Sequence, residues 1–210
     1  MLSDVLCDMR KAQRLVVAFN QHMIPVIDSI ASNLKANFYY WEPQYSSNSC
    51  RGATNPTTKR KWAFSPLHNA AFMYLSDSVA GPHELLKSGY LLVFHLITDT
   101  AINDAFERDN KSWSPLNIEQ SPESSRSVVR VYAYQPDKDG KHSNGWWDMY
   151  ASNPWPECGI GIVNLEHGGR ALGLEIDISE LDSRDNVQKT VSLIEKQLIN
   201  NGILHLESEN

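Results

Sequence analysis

The chain has little of what marks a secreted or membrane-spanning protein. Its three cysteines are too few and odd in number for a disulfide framework, and no C-x-x-C pair suggests a zinc or redox site. The longest apolar run, residues 90–97, is the size of a strand, whereas a helix that crosses a bilayer needs ~20 residues. Because the first residues also lack the order of a signal peptide, we expect a cytoplasmic protein with no membrane partner.

Positive charge is scarce as well. The net charge is -6 at pH 7, which argues against a general nucleic-acid binder, since such proteins carry a basic field. One basic cluster, Lys59-Arg60-Lys61, stands next to Trp62 and could stack on single-stranded nucleic acid. A solvated loop beside a core tryptophan is the simpler interpretation, so nucleic acid is not expected as a partner.

The short motifs that carry a known mechanism are absent. The sequence contains no Gly-x-x-x-x-Gly-Lys-Ser/Thr, no Gly-x-Gly-x-x-Gly after a strand, no His-Glu-x-x-His and no Gly-x-Ser-x-Gly. We therefore expect no cofactor and no metal site. An enzyme stays open, because catalytic residues are often dispersed along a chain.

Two amphipathic helices are predicted at the ends of the chain. Ser183 can cap the last one, whose buried stripe is Val187, Val191, Ile194 and Leu198 and whose end is Gly202. The first covers about 36 residues and should kink or break near Ile24, because Pro25 removes a backbone donor. A helix packed across a sheet explains its apolar stripe more simply than a coiled coil. The stripe consists of Val5, Met9, Ala12, Val16, Phe19, Met23, Val26, Ile30 and Leu34.

Between these helices the sequence predicts strands, two short helices and two long loops. Strands are expected at 38–41, 90–97 and 128–134, and loops near 44–60 and 109–126. Ser65-Pro66 is expected to open a helix that places Leu67, Ala70, Ala71, Tyr74 and Leu75 on one face. A further helix is predicted from about Thr100 to Arg108.

A hairpin is predicted over residues 160–178. Gly168-Gly169 is a two-residue turn signal, and the turn register sets Leu165 opposite Leu172 and Val163 opposite Leu174. These four side chains should share a buried face, with Asn164, Glu175 and Asp177 on the other. The fold class is therefore α+β, an antiparallel sheet with long N-terminal and C-terminal amphipathic helices packed on it, in one domain of residues 1–210.

The most distinctive stretch is aromatic. Trp146, Trp147 and Trp155 fall within ten positions, in a segment whose Gly and Pro residues forbid a long helix. They could seal one end of the core, or they could form a contact surface, because Trp and Tyr dominate binding hot spots. The candidate binding residues are Trp146, Trp147, Tyr150, Trp155, Asp148 and Glu157.

Three other constellations could carry chemistry. Cys158, His167 and Asp177 have the nucleophile, base and acid of a thiol hydrolase. Glu175 and Asp177, with Glu166, could hold a divalent cation on the hairpin, although a solvated outer face is the simpler interpretation. His68, His83 and His95 could converge on a metal, although His95 within an apolar strand is better explained as a structural histidine.

The leading functional hypothesis is a non-enzymatic, acidic protein-binding module. An inhibitor or immunity-type protein that neutralises a basic partner has this profile, since acidic charge steers a basic protein toward it. The alternative is a hydrolase that uses Cys158, His167 and Asp177, or the hairpin carboxylates. A small-ligand binder with an aromatic pocket ranks third.

Overall fold

The computed structural model describes residues 2–44, 67–109, 118–141, 145–166 and 168–204. In these ranges the chain forms an α+β fold, as predicted. The helices are α1 (Leu2–Asn33), α2 (Thr100–Asp109), α3 (Trp146–Ala151) and α4 (Arg184–Asn200), with a 3₁₀ turn at Ile178–Leu181. The strands are β1 (Ala36–Pro43), β2 (Asn69–Ser76), β3 (Glu84–Leu85), β4 (Leu91–Ile97), β5 (Val128–Gln135), β6 (Gly140–Lys141), β7 (Ile162–Asn164) and β8 (Arg170–Asp177).

Six strands form one antiparallel sheet in the order β1-β2-β4-β5-β8-β7, and β3 pairs with β6 separately. The predicted strand at 90–97 is β4, which lies in the middle of the sheet with every side chain buried. The strands predicted at 38–41 and 128–134 correspond to β1 and β5. The short helix predicted after β4 is α2. Of the predicted loops, residues 45–60 and 110–117 lie outside the described residues, and 118–126 are irregular.

The predicted helix after Ser65-Pro66 is wrong. Residues 69–76 form β2, between β1 and β4, and all eight of its side chains are buried. A strand covered on both faces has no alternation of apolar and polar residues, so its sequence can imitate the spacing of a helix. Ser65 and Pro66 themselves lie outside the described residues.

Each face of the sheet carries an apolar core. The first face is covered by α4 and by the C-terminal half of α1, from Phe19 onward. The second face is covered by residues 145–165, which include α3. Because side chains alternate along a strand, neighbouring residues of β2 and β4 enter different cores. Val93 belongs to the second core, for example, and Phe94 to the first.

The terminal helices confirm the predictions in part. Ser183 caps α4 by accepting a hydrogen bond from the backbone N–H of Asn186, and Gly202 ends the region with a φ of 68°. Of the kink or break predicted near Ile24, the break is wrong, since α1 continues through Pro25. Pro25 is exposed, so water can satisfy the carbonyl group that has lost its helical donor. In the N-terminal half of α1 the stripe residues Val5, Met9 and Val16 are exposed.

The 160–178 hairpin forms, but with another register. Val163 pairs with Ala171 and Asn164 with Arg170, because the connection spans residues 165–169 rather than two residues. The predicted and observed registers differ by three residues, and an odd shift turns every side chain of β7 to the other face. Val163 and Leu165 therefore pack on the second core, whereas Leu172 and Leu174 belong to the first. For the same reason, Asn164 does not share a face with Glu175 and Asp177.

Candidate functional site

The aromatic segment, residues 145–158, crosses the second face of the sheet. Trp146 opens α3 and is 0% exposed, and its indole N–H donates a 2.8 Å hydrogen bond to the carbonyl oxygen of Glu84. A buried indole needs such an acceptor, since an unpaired N–H would be costly there. Trp146 therefore packs inside the second core and offers no surface to a partner.

Trp155 closes the second core further along the same face. Its ring lies 4.4 Å from the His95 ring and 4.5 Å from the Tyr132 ring, measured between centroids. It also contacts Tyr150 edge to face at 5.6 Å. Trp155 is half-buried, so it covers part of the second core and remains partly accessible to solvent. Glu157, two residues on, is exposed.

An aromatic patch, which we define as Tyr39, Tyr40 and Trp147, lies at the β1 edge of this face. Tyr40 is 45% exposed, and its ring meets that of Trp147 edge to face at 5.1 Å. The pairing of β1 with β2 is irregular here: Phe38 pairs with Tyr74 and Tyr40 with the adjacent Met73. Tyr39 is therefore a bulge residue with no partner residue of its own in β2. Tyr39 and Tyr40 consequently both border the second core instead of alternating.

Two carboxylates border the aromatic patch. Glu42 follows Tyr40 on the same face of β1 and accepts a 3.0 Å hydrogen bond from the Tyr150 hydroxyl. Asp148 is half-buried in α3. Burial, then the charge of Tyr40, then the charge of Asp148 raise the pKa of Tyr39. The patch thus combines open aromatic rings with negative charge.

A buried polar chain connects β4, β2 and α2 at the far end of the same face. His95 bonds through Nε2 to Asn69 Oδ1, and Asn69 Nδ2 donates to Asn103 Oδ1 at 2.9 Å. Asn103 Nδ2 in turn donates to Glu107 Oε1 at 2.9 Å. The bonded atoms of these side chains satisfy one another, as buried polar groups require, whereas His95 Nδ1 is buried without a hydrogen-bond partner among the described residues. His95 is the structural histidine that its apolar strand suggested.

Acidification is expected to destabilise the fold through His95. Burial, and secondarily Arg130, lower the pKa of His95 to about 3, whereas an unfolded histidine titrates near ~6.5. Between these values the unfolded chain binds the proton and the folded chain does not. Stability should therefore fall as the pH drops from ~6.5 toward 3, by up to ~1.4 kcal/mol per pH unit.

Urea unfolding of the wild type and of His95→Gln at several pH values measures this effect. The amide of glutamine can still donate to Asn69 but does not titrate, so the variant should show the shallower slope. Burial also lowers the pKa of His68, but His68 is present in both proteins, and the difference between them isolates His95. Equal slopes would exclude His95 as the source.

The hairpin carboxylates are engaged with other groups. Glu175 forms ion pairs with Arg126 at 2.7 Å and Arg130 at 3.0 Å. Burial raises the pKa of Glu175, but the hydrogen bonds from the two arginines outweigh it and hold the pKa below its usual value. Asp177 accepts hydrogen bonds from the hydroxyl and backbone N–H of Ser179, which lower its pKa. Glu166 is exposed at the turn.

The structure does not bring Cys158 and Asp177 together. Cys158 forms a bridge with Gly173, whereas Asp177 lies four residues further along β8, about 13 Å at the rise of a strand. His167 lies outside the described residues. Burial raises the pKa of the Cys158 thiol, which is opposite to the shift that activates a thiol nucleophile.

The three candidate metal-binding histidines have different surroundings. His68 Nδ1 lies 2.6 Å from the Thr98 hydroxyl, and His95 belongs to the polar chain. His83 is exposed in the turn before β3. Among the residues that the structure describes, no group of three or more His, Cys, Asp or Glu side chains could hold a metal ion.

Sequence reasoning missed Tyr39, Tyr40 and Glu42 as neighbours of Trp147. The segment 38–41 was predicted as a strand from its aromatic residues, but nothing in the sequence indicated what it would lie against. Asn69 and Asn103 were missed as well, because isolated asparagines give no pattern.

The described residues define an α+β protein in which aromatic side chains and two carboxylates lie at one sheet edge. The family model described as PM0109 matches residues 1–201, and the chain belongs to that family. No curated protein and no solved structure matches the chain. None of the helices, over the part of the chain described, is long and apolar enough to span a membrane.

Proposed function

We propose that this protein is a non-enzymatic binding module whose aromatic patch receives a basic segment of another protein. The observation that carries the proposal is the pair formed by exposed Tyr40 and half-buried Trp147, bordered by Glu42 and Asp148. Trp and Tyr are enriched in binding hot spots. The two carboxylates beside these rings would attract a basic partner.

The chemistry of the aromatic patch favours a cation. The faces of Trp and Tyr rings attract ammonium and guanidinium groups through the ring quadrupole, and Arg is the usual companion of Trp. Glu42 and Asp148 add charge attraction beside the rings. A Lys or Arg side chain could therefore lie over Trp147 and reach a carboxylate with its head group.

The backbone of β1 supplies a second element. Among the described residues β1 has β2 on one side and no strand on the other, so it is an edge strand. Its free N–H and C=O groups can accept an extended segment, while alternate side chains of that segment meet the patch. We therefore favour a partner that docks in an extended conformation.

The net charge of -6 supports association with a basic protein, because long-range attraction raises the association rate. Neutralisation of a basic enzyme, as an inhibitor or immunity-type protein performs it, is the form of this function that we favour. A thiol hydrolase is less well supported, because the raised pKa of Cys158 keeps its sulfur protonated.

Binding of defined peptides tests the proposal. Extended peptides of equal length and hydrophobicity are prepared with Arg/Lys, neutral or Glu/Asp residues at alternate positions, and their binding is followed by fluorescence anisotropy. The basic set should bind best. Trp147→Ala should weaken this binding by about 30- to 1000-fold, the effect of removing a hot-spot residue.

Phe38→Ala is the matched control, since Phe38 lies on β1, is exposed and faces the other side of the sheet. It should leave peptide affinity within a few-fold, and so should Cys158→Ser. Circular dichroism confirms that each variant is folded at the binding temperature. No preference for basic peptides, or equal losses in Trp147→Ala and Phe38→Ala, would refute the proposal.

A further inference from the structure

The free edge of β1 offers its backbone hydrogen bonds at Trp41. The backbone N–H of Gln44 donates to the carbonyl oxygen of Asn69 at 2.8 Å, so Gln44 faces β2. Because the direction of hydrogen bonding alternates along a strand, Glu42 also faces β2, whereas Trp41 and Pro43 face away from it. A proline in an edge strand turns its nitrogen to the free side, as Pro43 does here. Trp41 therefore presents both an N–H and a C=O on the side where the described chain has no further strand.

This open stretch of β1 is short, because Tyr39 and Pro43 bound it. Tyr39 is the bulge residue, so regular pairing resumes at Tyr40. Pro43 is the last residue of the strand and has no N–H. Between these two residues, Tyr40 and Glu42 place their side chains on the second face of the sheet, and Trp41 places its own on the first. An added strand would thus meet side chains of different chemistry on its two faces.

Trp41 borders a mainly apolar groove on the first face. Its ring stacks on that of Phe72 at 6.2 Å between centroids, and Trp41 is 41% exposed. The groove has a volume of about 600 Å³ and lies between β1 and α1, where Ile24, Tyr74 and the exposed Asp28 also line it. An apolar side chain beside Trp41 would cover the open part of its ring. The first face consequently favours an apolar residue, whereas the carboxylates of the second favour a basic one.

We infer that the partner segment has the pattern basic–apolar–basic and pairs with β1 through the backbone of Trp41. The inference rests on the proposed function, because it places both basic residues at the aromatic patch and its carboxylates. Residues that lie opposite each other in neighbouring strands project to the same face of a sheet. The basic residues therefore lie opposite Tyr40 and Glu42, and the apolar residue lies opposite Trp41.

Backbone pairing makes the order of the three residues matter. Flexible side chains alone would accept two basic residues and one apolar residue in any order. Pairing with Trp41 fixes the face that each side chain takes, since a shift of one residue turns all of them to the opposite face. A segment with two adjacent basic residues would have to place one of them over the groove or give up the backbone hydrogen bonds. A β-branched residue suits the central position, because such residues pair well with aromatic ones across strands.

Peptides of one composition and different order test the pattern. Three labelled peptides with identical flanks contain Arg-Val-Arg, Arg-Arg-Val or the neutral Gln-Val-Gln, and their binding is followed by fluorescence anisotropy. The Arg-Val-Arg peptide should bind about 10-fold more tightly than the Arg-Arg-Val peptide. Equal binding of the two basic peptides, with weaker binding of the neutral one, would overturn the inference and leave the proposed function standing. Equal binding of all three would overturn both.

Methylation of the peptide nitrogens tests the strand pairing. Only alternate N–H groups of an added strand face its neighbour. In the Arg-Val-Arg peptide, methylation of the valine nitrogen and methylation of the second arginine nitrogen should therefore differ. One should weaken binding about 10-fold or more, and the other should leave it within a few-fold. Equal effects of the two methyl groups would mean that the side chains bind without backbone pairing, contrary to the inference.

Trp41→Ala tests the contact on the first face. The variant should bind the Arg-Val-Arg peptide about 5-fold more weakly than the wild type does, but it should bind an Arg-Gly-Arg peptide almost equally well. Equal losses with both peptides would exclude a contact between Trp41 and the valine. Phe38 also lines the groove, but it lies beyond the bulge and opposite none of the three residues, so Phe38→Ala stays a valid control. Circular dichroism confirms that each variant is folded.

Discussion

Replacing Gly145 with alanine is expected to lower the free energy of unfolding by at least about 3 kcal/mol, the range of severe steric effects. Gly145 precedes α3 with a φ of 49°, and a Cβ atom there would lie 2.1 Å from the carbonyl oxygen of Pro82 and 2.8 Å from the His83 Cα. Both neighbours are backbone atoms, which cannot rotate away. The segments that contain Gly145 and Pro82 cannot move apart without breaking the hydrogen bond from the Trp146 N–H to the Pro82 oxygen.

Gly159→Ala is the control for this variant. Gly159 also has a positive φ, 87°, but no atom would lie within 4 Å of its Cβ. It should show only the cost of a left-handed backbone, roughly 1–2 kcal/mol. Urea unfolding followed by tryptophan fluorescence and circular dichroism measures both variants. If they lose the same stability, the close approach of Gly145 to Pro82 is not an energetic constraint.

Trp146→Ala is expected to have an effect of similar size, about 3–5 kcal/mol, because it removes the largest fully buried side chain among the described residues and leaves a cavity. It also leaves the carbonyl oxygen of Glu84 without its indole donor. Urea unfolding gives the loss, and Trp146→Phe should recover part of it by refilling the cavity.

Trp147→Ala provides the comparison within the same helix. Trp147 is half-buried and packs mainly against Tyr40 and Tyr150, so its removal should cost clearly less stability than that of Trp146. For peptide binding the order should reverse: Trp147→Ala should lose more affinity than Trp146→Ala, since only Trp147 belongs to the aromatic patch. Equal losses of stability would mean that Trp147 is also part of the core, and the proposed surface would lose its centre.

Periodicity in the sequence was sufficient to predict the elements that bury only one face. The stripe of α4 and its Ser183 cap could be predicted because a single apolar face has a clear helical period and the cap is local chemistry. β4 could be predicted on another ground: it is buried on both faces and shows no alternation, but an uninterrupted apolar run of strand length is typical of a central strand. These features depend on nearby residues only, so one sequence is enough to find them.

Features that depend on distant residues could not be predicted. In β2, Ala70 and Ala71 suit a helix as well as a strand, and only its position between β1 and β4 decides the outcome. The 160–178 hairpin shows a different limit. Gly168 and Gly169 do have the positive φ values expected at a turn, but Leu165 still bonds to Gly169, which lengthens the connection and shifts the register.

The candidate site likewise combines a feature that the sequence predicts with features that depend on distant residues. Trp147 was identified from the density of aromatic residues, a property of a short segment. Its neighbour Tyr40 is more than one hundred positions away, and the irregular pairing that turns it to the same face is a property of the folded sheet. Trp146 was named with Trp147 as a contact residue, because the sequence does not reveal which side of a one-and-a-half-turn helix faces inward.

The covering of the second face has a consequence for local opening. Among the described residues, backbone hydrogen bonds tie the aromatic segment to the rest of the chain at Trp146–Pro82 and Gly159–Gly173. Between these points it is held by side-chain packing and by a few side-chain hydrogen bonds, such as that from the Tyr150 hydroxyl to Glu42. On the first face, by contrast, α4 is a continuous helix of 17 residues. The segment can therefore detach as a unit while the sheet and α4 remain folded, because such sub-global opening requires less free energy than unfolding the whole molecule. Amide protons of α3 would then exchange with solvent before those of β4 and β5, and β4 would be exposed on one side only.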